Sequence, residues 1–268
     1  MELPPAWQRP DPLRGLEAVP WNDLSDGRGT ARGVDELLRR VTDEDPDVRA
    51  TALDGLVARL LPEDTVSEAS AFAVPFLAEL GANYKVAPDA RDRVIFLLAA
   101  LALAGCGFTE DGKRTWRRWN AVGRELPRLS PDWVTQTRYA VAKAAPKVFE
   151  SLSNAEVACV VALATAVPEV VPTQTAHVVW GIAHGASRQA SAVLVDAAAV
   201  AHHLVQGQES DHWALLGAAQ DHPDLLRAYE DEEFPPNQPG DLTMALMGYR
   251  LAFRAAYGEE SAEGQPGY

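Results

Sequence analysis

Apolar positions along this chain recur at three- and four-residue spacing, and almost no stretch alternates with a period of two. Residues 43–56, DEDPDVRATALDGL, show the pattern at its clearest. Asp43, Asp45 and Asp47 are candidate caps for amides that a helix start leaves unsatisfied, and Pro46 suits the first helical position, where a missing N–H costs nothing. Beyond them Val48, Ala52, Leu56 and Leu60 fall four residues apart, joined by Leu53 and Val57, which is one apolar face of a helix. The same reading predicts helices at about 32–41, 46–61, 65–81, 88–104, 114–127, 133–150, 153–166, 173–184, 187–205, 210–218, 222–229 and 240–257. Each stripe is too narrow to make a core alone, so consecutive helical hairpins must stack and bury stripe against stripe.

Internal similarity points the same way. TVSEASAFAVPFLAEL places Pro75 inside an apolar helical pattern, WNAVGRELPRL does so with Pro127, and RYAVAKAAPKVFESL with Pro146. A proline recurring in one helix of each pair would bend it and help a stack curve. LSNAEVACVVALATAV is a degenerate copy of the opening stretch, with Asn154 near the position of Asp45, Glu156 near Asp47 and Val157 near Val48.

On these residues the chain resembles the HEAT-repeat family, particularly bacterial HEAT-like proteins of an actinobacterial type. The likeness rests on DPDVRATALDGL, with Asp47, Val48, Arg49, Ala52 and Leu53 at the family spacing, and extends over residues 21–80. Family members commonly carry a His-Gln-Gly-Thr turn before the second proline-bearing helix. This chain has LPEDT instead and keeps only Thr65. The resemblance implies an all-α fold, a right-handed α-α superhelix of about five to six helical hairpins. With the periodicity of the later residues, the chain is expected to divide into an irregular segment 1–31, a solenoid 32–205, a divergent helical cap with an acidic loop 206–257, and a flexible tail 258–268. The resemblance also implies a structural ladder in which Asp47 and Arg49 face neighbouring repeats and pair through charge-assisted hydrogen bonds.

Charge narrows the range of partners. The formal net charge is −14, and residues 209–268 hold twelve Asp or Glu against three Arg. Free nucleic acid, which needs concentrated positive charge, is a poor partner for such a surface, whereas a basic protein fits it. Cys106 and Cys159 lie far apart in apolar surroundings and read as buried thiols, not as a disulfide framework. The amino terminus, MELPPAWQRPDP, lacks a basic leader and an apolar segment, and the apolar run 94–104 is shorter than a membrane span. A cytoplasmic location without membrane attachment is the expectation.

Candidate chemistry is sparse. All six histidines follow residue 176. His177, Trp180 and His184 share a helix side, and Asp196 on the next helix is a candidate fourth member. His202, His203 and His212 with Glu209 and Asp211 form a second candidate cluster for a divalent metal, although adjacent histidines on a helix point apart. Packing is the simpler reading of both, and no cofactor is expected. No nucleophile elbow, phosphate loop or dinucleotide fingerprint occurs. Residues 113–128, KRTWRRWNAVGRELPR, form a basic aromatic patch built on Arg114, Trp116, Arg117, Arg118 and Trp119. Such a patch can bind phosphate or stack a base. Glu230, Asp231, Glu232 and Glu233 form an acidic run that is a candidate partner-binding patch. The expected function is therefore a non-catalytic protein-interaction or regulatory scaffold with an acidic surface. The alternatives are an immunity-like inhibitor of a basic enzyme or toxin, a HEAT-like DNA glycosylase or nucleic-acid binder, and a lyase or chaperone for a cofactor-bearing protein.

Overall fold

A computed structural model describes residues 12–62, 65–104, 133–152, 157–185, 190–207, 222 and 241–258. Within them the chain is all-α apart from one small hairpin of strands β1 (Ser25–Asp26) and β2 (Gly29–Thr30). The helices are α1 (Val34–Arg40), α2 (Pro46–Leu60), α3 (Glu68–Gly81), α4 (Pro88–Leu103), α5 (Trp133–Ser151), α6 (Val157–Ala166), α7 (Thr173–Ala183), α8 (Ala192–Gln206) and α9 (Asp241–Tyr257). They fall into two compact units, the first holding the described residues through Ala104 together with α5, the second holding those from Val157 onward.

In the first unit the expected helix starts are present. Asp45 caps α2 by accepting from the Asp47 amide at 2.9 Å, and Pro46 opens the first turn. The predicted stripe turns inward through Ala52, Leu53, Leu56 and Leu60. Helix α3 begins with a reciprocal cap between Ser67 and Ser70, and the Ser70 hydroxyl also donates to the Leu60 carbonyl at the end of α2. Helix α4 is buried on every side from Val94 to Ala104. A helix that is apolar all round must be a core element or a membrane span, and α3 and α5 both pack against this one. No described helix is long and apolar enough to cross a membrane. Pro75 lies inside α3 and Pro146 inside α5, and these two helices pack on each other. Pro127 and the helix expected at 114–127 lie outside the described residues.

The described residues before α1 are tied to the helices that follow. Trp21 is buried, donates its indole N–H to the Leu16 carbonyl at 3.0 Å, and meets the Phe76 ring. The β1–β2 hairpin is held from α2 by Arg59. Its Nε donates to Asp26 at 2.6 Å, and its Nη2 donates to the carbonyls of Thr30 and Arg32. The Asp26 side chain is 0% exposed, so Arg59 supplies the charge that its burial requires. Gly27 passes so close to Pro62 that a β-carbon would sit 2.5 Å from the proline Cβ, which explains glycine at that turn.

In the second unit α6 is buried throughout Cys159–Ala166, and the chain turns through a 3-10 segment, Pro168–Val170, into α7. Helix α7 packs on α8, and α9 packs on both α6 and α8. Leu242, Met244, Ala245, Leu246, Met247, Tyr249, Leu251 and Ala252 form its buried face. The close approach occurs at Gly248, where a β-carbon would lie 2.8 Å from Thr165 and 2.9 Å from Val200. The Thr165 hydroxyl donates back to Val161 at 2.7 Å and so enters the core satisfied. Cys159 is buried and takes part in no disulfide. Burial, with Tyr257 and Cys159 nearby, pushes the Tyr249 hydroxyl well above its ordinary pKa.

Candidate functional site

Arg49 sits one turn into α2 at the edge of the apolar stripe, and its guanidinium is nearly buried. Nε and Nη2 form a fork on the carboxylate of Asp89, at 3.3 Å and 2.9–3.1 Å, and Nη1 donates to the carbonyls of Asp43 and Glu44. Its acidic partner thus comes from the start of α4, while the side chain of Asp47 is exposed. A sequence signal for Asp89 exists. Pro88-Asp89 opens α4 as Pro46-Asp47 opens α2, so Asp89 occupies in the later helix the place Asp47 holds in the earlier one. A second pair runs the other way, from Arg93 of α4 to Asp54 of α2 at 2.5 Å. Both join α2 to α4.

The histidine-rich region is different. Between Glu156 and Arg188 the only Asp, Glu, Lys or Arg is Glu169, an exceptional gap in a chain of net charge −14. Helix α7 lies in that gap and buries only Val179 and Ile182. Trp180 is 49% exposed and Val178 is 37% exposed, with His177 and His184 exposed beside them. Trp180 and His184 are one turn apart, and their rings stack at 4.7 Å. His184 follows the last turn of α7, and its Nδ1 lies 2.8 Å from the Trp180 carbonyl, which fixes the ring and assigns the proton to Nδ1.

Helix α8 completes the cluster with His202, whose ring meets the His184 edge at 5.8 Å and a near-perpendicular angle. Burial first, then the neighbouring His184 and His203, lowers the His202 pKa below its ordinary value. The Nδ1 of His202 and the Nε2 of His203 are buried without a hydrogen-bond partner. His177 stands apart from the stack. Asp196 turns away from it to His222, whose Nε2 lies 3.1 Å from the carboxylate. Sequence spacing alone puts Trp180 and His184 together. The approach of His202 has no sequence signal, since eighteen residues and a turn separate it from His184.

Among the described residues no group of three His, Cys, Asp or Glu side chains converges as a metal site. His212, Glu209 and Asp211, the basic aromatic patch of Arg114, Trp116, Arg117, Arg118 and Trp119, and the acidic run Glu230, Asp231, Glu232 and Glu233 all lie outside the described residues. The described site is therefore an uncharged aromatic helix face backed by imidazoles. It can exclude water from a partner and offer N–H and ring-face contacts. Comparison of the chain with family models, curated proteins and solved structures finds no match.

Proposed function

We propose that this chain is a non-catalytic protein-interaction module, built as a HEAT-like right-handed stack of helical hairpins, that docks a partner protein on the outer face of α7. The observation that carries the reading is Trp180. It is a large aromatic held half-exposed on a helix without ionic side chains, next to exposed Val178. Exposed tryptophans of this kind are the residues that dominate protein interfaces, because their burial releases much water at little cost in side-chain freedom. The stack on His184 restrains the indole before any partner arrives, which lowers the ordering cost of association. The acidic remainder of the molecule suits a partner with apolar anchors at the centre of its interface and basic residues around them.

The stacking part of the proposal draws on the paired α2–α4 contacts and on the two proline-bearing helices, α3 and α5, packed together. The interaction is tested with a photo-crosslinking residue at position 178 and a control at exposed Lys85, in cells that express the chain natively. A discrete crosslinked protein at 178 is expected, and the purified pair should lose about 30-fold or more in affinity on Trp180→Ala. Crosslinking equal to the control, or affinity unmoved by Trp180→Ala, removes α7 as the docking face.

A further inference from the structure

The aromatic stack on α7 is joined to α8 through a contact between two imidazoles, and no carboxylate stands between them. We propose that Trp180, His184 and His202 form an acid-sensitive latch that holds the end of α7 against α8 at neutral pH and opens when His202 takes up a proton. The geometry has three parts. Trp180 and His184 form one rigid plate, because the rings stack at 4.7 Å and the His184 Nδ1 is tied to the Trp180 carbonyl. His202 meets that plate edge to face at 5.8 Å, a contact that tolerates one positive charge but not two. The buried Nδ1 of His202 and Nε2 of His203 have no acceptor, so a proton placed on either of these atoms would lack a hydrogen-bond partner.

Among the described residues the charged surroundings offer no relief. His184 and His203 are the groups whose charge acts on His202, and both oppose its protonation. On α8 the carboxylate of Asp196 is engaged by His222. Helix α7 contributes only His177 besides His184, α6 only Cys159, and the turn Pro168–Val170 only Glu169. The described ionisable side chains of α9 are Tyr249, Arg250, Arg254 and Tyr257, which add positive charge or none at this pH. His202 is part-buried and its Nδ1 is covered, so proton uptake favours a state in which that atom reaches water, and the most direct route is separation from the Trp180–His184 plate. The consequence for binding rests on the reading of α7 as a docking face, but the opening itself is a property of the isolated chain.

The test uses the full chain labelled with fluorotryptophan, with the Trp180 resonance assigned by Trp180→Phe. Spectra are taken from about pH 7.5 to about pH 5.5, the range in which imidazoles titrate. The expected result is a shift of the Trp180 resonance that tracks His202 titration, with loss of the His184–His202 ring NOE while far-UV circular dichroism stays constant. H202Q should lose at least about half of that shift, since the proton site of the proposed latch is gone. Should H202Q fold poorly, H184N changes an exposed residue and should suppress the shift as well. A Trp180 resonance that moves identically in wild type and H202Q, or a ring NOE that survives at the acid end, overturns the latch. Either outcome leaves the crosslinking result at position 178 untouched, so the two proposals fail separately.

Discussion

The two units of the molecule solve the problem of holding helices together in different ways. In the first, polar pairs cross between elements: Arg59 to Asp26, Arg49 to Asp89, Arg93 to Asp54, and Lys147 of α5 to Glu79 of α3. In the second, α9 meets α6 and α8 through small and apolar residues around Gly248, and His222 pairs with Asp196. Ion pairs specify which residue meets which, because an unpaired partly buried charge is costly. Apolar contact specifies only fit, and leaves polar side chains free for other work. That difference teaches where to look for function. The first unit joins its elements through charged pairs, and the second exposes Trp180, Val178 and a set of imidazoles.

The most severe way to break the polar unit is Arg59→Ala. The Asp26 carboxylate is fully covered, so losing its partner should cost about 3–5 kcal/mol, read as a fall in the urea midpoint without a change in slope. In the apolar unit the matching lesion is Gly248→Ala. A β-carbon there must displace Thr165 and Val200 or push α9 outward, with an expected loss of about 1–3 kcal/mol. If Gly248→Ala is neutral in thermal unfolding, the helices are less tightly packed than the geometry requires. Asp89→Asn sharpens the comparison at a smaller scale. Asp89 is 57% exposed, and Arg49 keeps its two carbonyl acceptors, so about 1 kcal/mol or less is expected. Raised salt should erase most of that difference and leave the Arg59→Ala deficit largely in place.

The smallest effect separates the units by pH. The His202 pKa is lower in the folded chain than in the unfolded one, so between those values the unfolded state binds more protons. The stability that follows from keeping His202 neutral is thus complete above the ordinary histidine value of 6.5 and is lost as pH falls below it toward the folded value. Urea midpoints at about pH 7.5 and about pH 5.8 should therefore differ more in wild type than in His202→Gln. An equal pH dependence in the two proteins would contradict the covering of the His202 Nδ1.

Local spacing along the chain determined the helices and their inward faces. The cap at Asp45, the proline at position 46 and the stripe through Ala52, Leu56 and Leu60 are decided within a few turns, where neighbouring residues alone settle the geometry. The same holds for the stack of Trp180 on His184, one turn apart on α7. What lay beyond the sequence is which face meets which. Arg49 needs an acid, but that Asp89 supplies it depends on α4 lying beside α2, forty residues on. Asp196 stands within reach of several histidines by sequence, and the packing of α8 turns it to His222. Val178 belongs to an apolar helix and would pass for core, yet no described element covers it, and it faces outward. Periodicity encodes the direction a side chain leaves its own helix, while contact and burial depend on a second helix whose position is a property of the whole packed unit.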